Sequence, residues 1–258
     1  MDGNSQRNTS SIPSVDSQPD GLGPGAALAK RPLHFIWILD CSGSMLDDGK
    51  IQALNNAIAE ALPHMREVAQ SNPGSELLVR ALTFSTGAQW HVPEPTPVST
   101  FQWQSIGAGG ETQMGRAFKM LADVLKMPPM DNRALPPVLV LVSDGMPTDD
   151  YRSGLDALMS EIWARKSVRL AIGIGRDADL QVLQSFINNS ELHPLEARNA
   201  DQLVNYIRWA ATTAVSAASS PASTPVAGGT PVSNVPLGVL PDVHEVSGSD
   251  DDASDWVW

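Results

Sequence analysis

Apolar and polar positions alternate along the chain in two distinct rhythms. His34-Phe35-Ile36-Trp37-Ile38-Leu39 is an almost unbroken apolar run, as a strand buried on both faces requires. From Lys50 to about Gln70, Ile51, Leu54, Ile58, Leu62, Met65 and Val68 recur every three or four residues, the stripe of a helix. Pro63 lies inside that stripe and predicts a kink there or the end of the helix's first part. Glu76 to Phe84 reads as a strand and Ala88 to Val92 as a second after a turn at Gly87, which predicts a hairpin with one antiparallel edge strand. A polar stretch then ends in Gly107-Ala108-Gly109-Gly110, and Phe118, Leu121 and Leu125 mark a helix from Met114 to Lys126. Pro136-Pro137 introduces Val138-Leu139-Val140-Leu141-Val142, the clearest buried strand. Tyr151 to Lys166 reads as a helix, Val168 to Ile174 as a strand, Leu180 to Ile187 as a helix and Ala200 to about Ala214 as another. This alternation predicts an α/β fold: a doubly wound, mostly parallel sheet with one antiparallel edge strand and helices on both faces.

Composition divides the chain further. Residues 1–31 and 214–258 are rich in Ser, Pro, Ala and Gly, too poor in large apolar groups to offset ordering entropy, and both are predicted to be disordered. The folded domain is therefore expected at 32–213. The formal net charge is −12, from 29 Asp+Glu and 17 Lys+Arg. Half of it falls in 211–258, which holds six acidic residues and no Lys or Arg. An acidic chain without a basic patch argues against nucleic acid as the partner, because phosphate binding is driven by Lys and Arg. The single cysteine, Cys41, excludes an intrachain disulfide and any Cys-based zinc site. No signal peptide or run of about 18 apolar residues is evident, so no membrane association and a cytoplasmic setting are expected.

Sheets of this kind bind ligands at the carboxyl ends of their strands. The first strand ends in Asp40-Cys41-Ser42-Gly43-Ser44-Met45, the central strand in Ser143-Asp144-Gly145, and Gly109-Gly110-Glu111-Thr112 precedes the helix from Met114. Two aspartates and three hydroxyls thus converge on one edge. They are hard oxygen donors, suited to magnesium, manganese or calcium. Asp40, Ser42 and Ser44 alternate, so an extended loop presents all three on one side. The competing reading is helix capping by Ser44 or Asp48.

These residues resemble the metal-ion-dependent adhesion site (MIDAS) of von Willebrand factor A (vWA) domains, which has the form Asp-x-Ser-x-Ser, then Thr, then Asp. The matching residues are Asp40, Ser42, Ser44, Thr112 and Asp144. The resemblance covers nearly all of 32–213 and implies the Rossmann-like vWA fold. Ser42-Gly43-Ser44-Met45, Lys50-Ile51-Gln52-Ala53-Leu54-Asn55 and Ser143-Asp144-Gly145-Met146-Pro147-Thr148-Asp149 further resemble the bacterial TerY-like branch. That branch is associated with tellurium resistance and stress, and its members often occur with a protein kinase and a metal-dependent Ser/Thr phosphatase. The loop Leu46-Asp47-Asp48-Gly49 is slightly longer and more acidic than the pattern. The resemblance implies one divalent cation, Mg²⁺ first and Mn²⁺ or Ca²⁺ as alternatives. Ser42 and Ser44 would bind it directly, Thr112 directly or through water, and Asp40 and Asp144 largely through water. It also implies protein–protein interaction without turnover: neutral direct ligands leave the cation electron-poor, and a partner's Asp or Glu carboxylate completes its shell.

Around this site the sequence offers a rim. Met45, Met114 and Met146 follow the three ligand loops, either as adaptable contact residues or as core. Asp47, Asp48, Glu111, Asp149 and Asp150 add an acidic ring, which predicts a partner carboxylate set in a neutral or basic patch. Alternation turns Cys41 away from the metal, into the core. The histidines show no ligand spacing. At the far end, Asp255, Trp256 and Trp258 form a candidate binding motif, since Trp is a common interface anchor, and a tail carboxylate could bridge to the site of a second copy. The alternative function is a metal-dependent phosphoryl-transfer enzyme on a similar sheet. Haloacid-dehalogenase-type phosphatases need a second Asp two residues after the first, where this chain has Ser42. Neither a nucleophile elbow nor a Walker loop is present.

Overall fold

Among the described residues six strands form: β1 (Arg31–Asp40), β2 (Ser75–Ser85), β3 (Gly87–Pro97), β4 (Val138–Ser143), β5 (Val168–Ile174) and β6 (Leu195–Ala197). Six helices separate them: α1 (Lys50–Ser71), α2 (Met114–Val124), α3 (Tyr151–Ser160), α4 (Ile162–Lys166), α5 (Leu180–Ile187) and α6 (Ala200–Ser219). The computed structural model describes Met1 and residues 29–219. Most of the predicted terminal segments, and with them Asp255, Trp256 and Trp258, lie outside the described residues.

The strands make one sheet of order β3-β2-β1-β4-β5-β6. Every neighbouring pair is parallel except β2 and β3, which are antiparallel, as the α/β reading predicts. Buried apolar strands demand cover on both faces. Leu33, Phe35, Trp37 and Leu39 of β1 pack with the apolar stripes of α1 and α6. Ile36 and Ile38 point the other way, into a core with α2, Trp163 of α4 and Phe186 of α5. Two-residue alternation along one strand thus builds two cores.

Several details depart from the sequence expectation. α1 is not ended by Pro63 but runs through it. Pro63 and Ala59, whose carbonyl loses its donor four residues on, both lie on the exposed side, where water replaces the lost bond. β3 runs on to Pro97 through Pro93 and Pro95. It is the edge strand, so missing N–H groups are tolerated on its unpaired side. The single helix expected over Tyr151–Lys166 is two, broken at Glu161 by an extended backbone. The Arg165 guanidinium donates to the carbonyls of Met159 and Ser160, satisfying the end of α3 at the break. The three-residue β6 is too short to have shown a pattern, and α6 reaches Ser219.

α2 and α3 touch backbone to backbone. A Cβ on Gly154 would overlap the carbonyl oxygen of Gly115, and one on Gly115 would lie 2.5 Å from the carbonyl oxygen of Asp150. Helix propensity alone makes Gly→Ala stabilising by about 1 kcal/mol. Here overlap with rigid backbone decides the sign. Gly154→Ala is expected to destabilise the protein by about 2 kcal/mol, read as a lower midpoint in chemical denaturation, and an unchanged or higher midpoint would refute this packing.

Candidate metal centre

The order of the sheet makes β1 and β4 neighbours, while the chain leaves β1 first toward β2 on the other side. This is the topological switch point, where a crevice opens beyond the strand ends. Asp40 closes β1 and Asp144 follows β4, and both are fully buried. Asp40 Oδ1 accepts from the Ser42 N–H at 2.8 Å, and Oδ2 from the Ser143 hydroxyl at 2.6 Å. Among the described residues no Lys, Arg or His forms an ion pair with Asp40. Burial therefore pushes its carboxyl up to about 6, against the hydrogen bonds from Ser143 and Ser42 that pull it down.

Asp144 divides its oxygens. Oδ1 accepts from the Ser44 hydroxyl at 2.7 Å, and Oδ2 accepts from the ammonium of buried Lys50 at 2.9 Å. Ser42 Oγ and Ser44 Oγ lie 3.1 Å apart. A Cβ on Gly145 would stand 3.7 Å from Ser44 Oγ and 3.9 Å from Thr112 Oγ1, so these two hydroxyls flank the same small space. All five residues singled out in the sequence are thereby brought together. The capping alternative fails: Gly49 holds the N-cap position of α1, and no side chain caps it. The residues after Ser42 form a 3₁₀ turn, Gly43–Gly49, whose own start also lacks a side-chain cap. The hydroxyls of Ser42 and Ser44 are thus free of any capping duty.

Backbone hydrogen bonds stitch the loops. Gly43 N–H donates to Gly110 O and Gly109 N–H to Cys41 O. Buried Asn55 of α1 donates to Ile106 O and accepts from Ile106 N–H and Trp103 Nε1, pinning the polar stretch that leads to Thr112. Thr112 is clasped from the other side: its N–H donates to Thr148 Oγ1, and its carbonyl accepts from Thr148 N–H.

Two buried carboxylates facing hydroxyl oxygens match the donor set of a hard divalent cation, with one ammonium paired to Asp144 beside them. No family model matches the sequence, and no curated protein matches it. Solved structures do match. A von Willebrand factor type A protein from Catenulispora acidiphila aligns at 18% identity with a TM-score of 0.56, covering 72% of this chain and 43% of that one. The pilus adhesin SpaC from Lactobacillus rhamnosus GG aligns at 14% with a TM-score of 0.59, covering 72% and 31%. Proximal thread matrix protein 1 from the mussel byssus, in a structure with a zinc-occupied MIDAS motif, aligns at 14% with a TM-score of 0.53, covering 73% and 46%. The chain has the fold of a von Willebrand factor A domain. It spans less than half the length of each of these three neighbours.

Within this vWA fold the predicted rim separates into three groups. Met45 and Met114 are fully buried core residues and not contact residues, while Met146 is 67% exposed. Leu46, which the sequence reading passed over, is 57% exposed on the first ligand loop. Asp47 and Asp48 are exposed beside it. Asp149 is a scaffold residue: its carboxylate accepts from the N–H groups of Gly115 and Arg116, capping the start of α2 from another loop. Cys41 is buried, and desolvation pushes its thiol up to about 12. Beside the first ligand loop, a polar cleft of about 680 Å³ opens between Cys41, Thr86, His91 and Arg116.

Sequence reasoning missed Lys50, Thr148 and the scaffold role of Asp149. Lys50 did carry a signal, since a lysine at the first position of a helix opposes the helix dipole and implies a carboxylate nearby.

Asp40 titrates at about 6 in the folded chain against 3.8 as its ordinary value. Stability is thus highest below about pH 4 for this group and is lost as pH rises toward 6 and beyond, where the buried charge is unpaired. Asn in its place keeps an acceptor for the Ser42 N–H and turns its amide N–H toward the Ser143 oxygen, which can accept it, without the charge. Asp40→Asn is expected to stabilise the metal-free protein at pH 7 by about 2 kcal/mol, with the gain vanishing near pH 4. Thermal denaturation in chelator across that range checks it, and a pH-independent difference would remove Asp40 as the cause.

Proposed function

We propose that this domain is a metal-ion-dependent protein-interaction module: a divalent cation held by Ser42, Ser44, Thr112, Asp40 and Asp144 receives an Asp or Glu carboxylate from a protein partner. The observation that carries this reading is the convergence of three hydroxyls and two fully buried carboxylates at the switch point of the sheet. Mg²⁺ is the assigned cation, with Mn²⁺ or Ca²⁺ as substitutes, because every donor is oxygen. When bound, the cation supplies a strong charge at a fixed place, and the hydroxyls leave that charge undiminished toward the partner.

The chain's own residues define what kind of partner fits. Leu46 and Met146 stand exposed on two ligand loops and offer apolar contact to a partner whose carboxylate enters there. Asp47, Asp48 and Glu111 repel a broadly acidic surface. The partner carboxylate therefore sits in a neutral or basic patch with apolar neighbours. The TerY-like motifs support a bacterial stress or tellurium-resistance setting, with a Ser/Thr kinase or phosphatase as the partner. A carboxylate from the 250–258 tail of a second copy is an alternative donor. The phosphoryl-transfer alternative is weaker: the hydroxyls of Ser42 and Ser44 hydrogen-bond each other and Asp144, not a histidine base. No helix among the described residues is long and apolar enough to cross a membrane.

The test is capture of partners from cell extract with Mg²⁺ or with chelator, comparing wild type with Asp40→Ala and Ser44→Ala. Metal-dependent capture is expected to fall about tenfold or more in both variants. Equal capture by all forms would overturn the adhesion-site mechanism. Association of the captured partner is expected to slow as salt is raised, since the acidic rim attracts a basic patch. A rate indifferent to salt would remove that rim from the recognition.

A further inference from the structure

We infer that Lys50 is a built-in counter-ion of the metal centre, one that makes retention of the cation depend on the arrival of a carboxylate. The inference rests on the metal-dependent reading above and deepens it.

The placement of Lys50 is specific. It begins α1, where the helix dipole disfavours a cation, yet its side chain is only 7% exposed. Its ammonium lies 2.9 Å from Asp144 Oδ2. The end of its side chain passes over Gly175, just beyond β5, where a Cβ would meet Lys50 Cε at 3.1 Å and Nζ at 3.2 Å. Gly175 has φ of +81° and donates its N–H to Ala197 O, so it is held in the backbone shape that keeps this slot open. A buried lysine in a slot closed by three elements is not a solvated surface charge that happens to lie nearby.

The charges around it give the consequence. Asp40 and Asp144 each carry one negative charge when they hold a cation, and Lys50 returns one positive charge. A divalent cation then leaves the buried cluster with a surplus of one positive charge. Buried surplus charge is unfavourable unless it is paired. One incoming carboxylate brings the cluster to neutrality. Without the ammonium, the two aspartates alone would neutralise the cation, and a partner carboxylate would bring surplus negative charge instead. Lys50 thus lowers affinity for the bare cation and raises the affinity of the loaded site for an anion. By linkage, the carboxylate must tighten the cation by the same factor as the cation tightens the carboxylate.

The experiment uses the full chain, with Mn²⁺ as the metal and acetate as the carboxylate. Mn²⁺ affinity is measured by calorimetry with and without acetate for wild type, Lys50→Met, Lys50→Gln and Asp40→Ala. In wild type, acetate is expected to tighten Mn²⁺. Both neutral Lys50 variants are expected to bind Mn²⁺ about tenfold tighter in the absence of acetate, with the acetate effect largely lost. Should Lys50→Met fail to fold without metal, Lys50→Gln carries the same comparison. An acetate effect equal in wild type and variants overturns the role of Lys50, and leaves the metal reading standing so long as Asp40→Ala abolishes Mn²⁺ uptake. A wild type that takes up no Mn²⁺, or an Asp40→Ala that takes it up as well as wild type, overturns both.

Discussion

Two aspartate carboxylates, buried side by side at the ends of adjacent parallel strands, are the constraint on which the rest of the arrangement turns. A buried carboxylate is tolerated only with hydrogen bonds, a counter-charge or a proton. Each aspartate here uses a different solution. Asp144 has an ammonium and a hydroxyl. Asp40 has an N–H and a hydroxyl but no cation of its own, and is held near the point of protonation. The imbalance is stability given up locally, of the kind that gathers at functional sites and is carried by the surrounding fold. Both cores, on the two faces of the sheet, are what hold these strand ends in place.

The second constraint is mutual registration of three loops that are distant in sequence. Position along β1 and β4 is set by a parallel ladder that pairs Leu39 with Val142. That registers the first and last ligand loops through the sheet itself. Thr112 has no such ladder, and its place is set by side chains together with single backbone bonds, such as that from Thr148 N–H to its carbonyl. Asn55 holds the approach to it, Thr148 clasps its backbone, and Asp149 caps the helix that follows. The close contact of Gly115 with Gly154 then ties that helix to α3. A displacement of Thr112 cannot occur without moving the 146–150 loop and the pair α2–α3. This gives the site a mechanical connection to one face of the domain, whereas Lys50 and Asn55 connect it to α1 on the other.

What the sequence disclosed follows from how local each cause is. Strand and helix alternation, the order of chemistry along the strand ends and the five oxygen donors were all legible, because each depends on residue type and short spacing. The break at Glu161 was not, because the Tyr151–Lys166 stripe is continuous and the break depends on Arg165 reaching back to two carbonyls. Pro63 does not end α1, for the opposite reason. Its local penalty is real, but its position on the exposed face of α1 lets water absorb it. Met45 and Met114 were ambiguous between core and rim until the two faces of the sheet were known. Asp149 looked like part of an acidic ring because charge alone does not tell whether a carboxylate faces a partner or a helix N-terminus.

The same distinction separates the acids of the domain by what they do. Asp149 and Asp150 act on the backbone at the starts of α2 and α3. Asp40 and Asp144 are buried at the strand ends, facing hydroxyls. Asp47, Asp48 and Glu111 stand exposed near the ligand loops with no such backbone duty among the described hydrogen bonds. The formal charge of −12 therefore describes no single property of this protein. Half of it belongs to the last 48 residues, and the acids of the site are divided among helix ends, buried strand ends and exposed loops. A buried site that combines three hydroxyls, two carboxylates and a lysine is suited to holding one more negative group at equilibrium. Turnover would need a group to take up or release a proton from a reacting atom. Lys50 is held against Asp144 by an ion pair, and Asp40 is tied to Ser42 and Ser143 by hydrogen bonds.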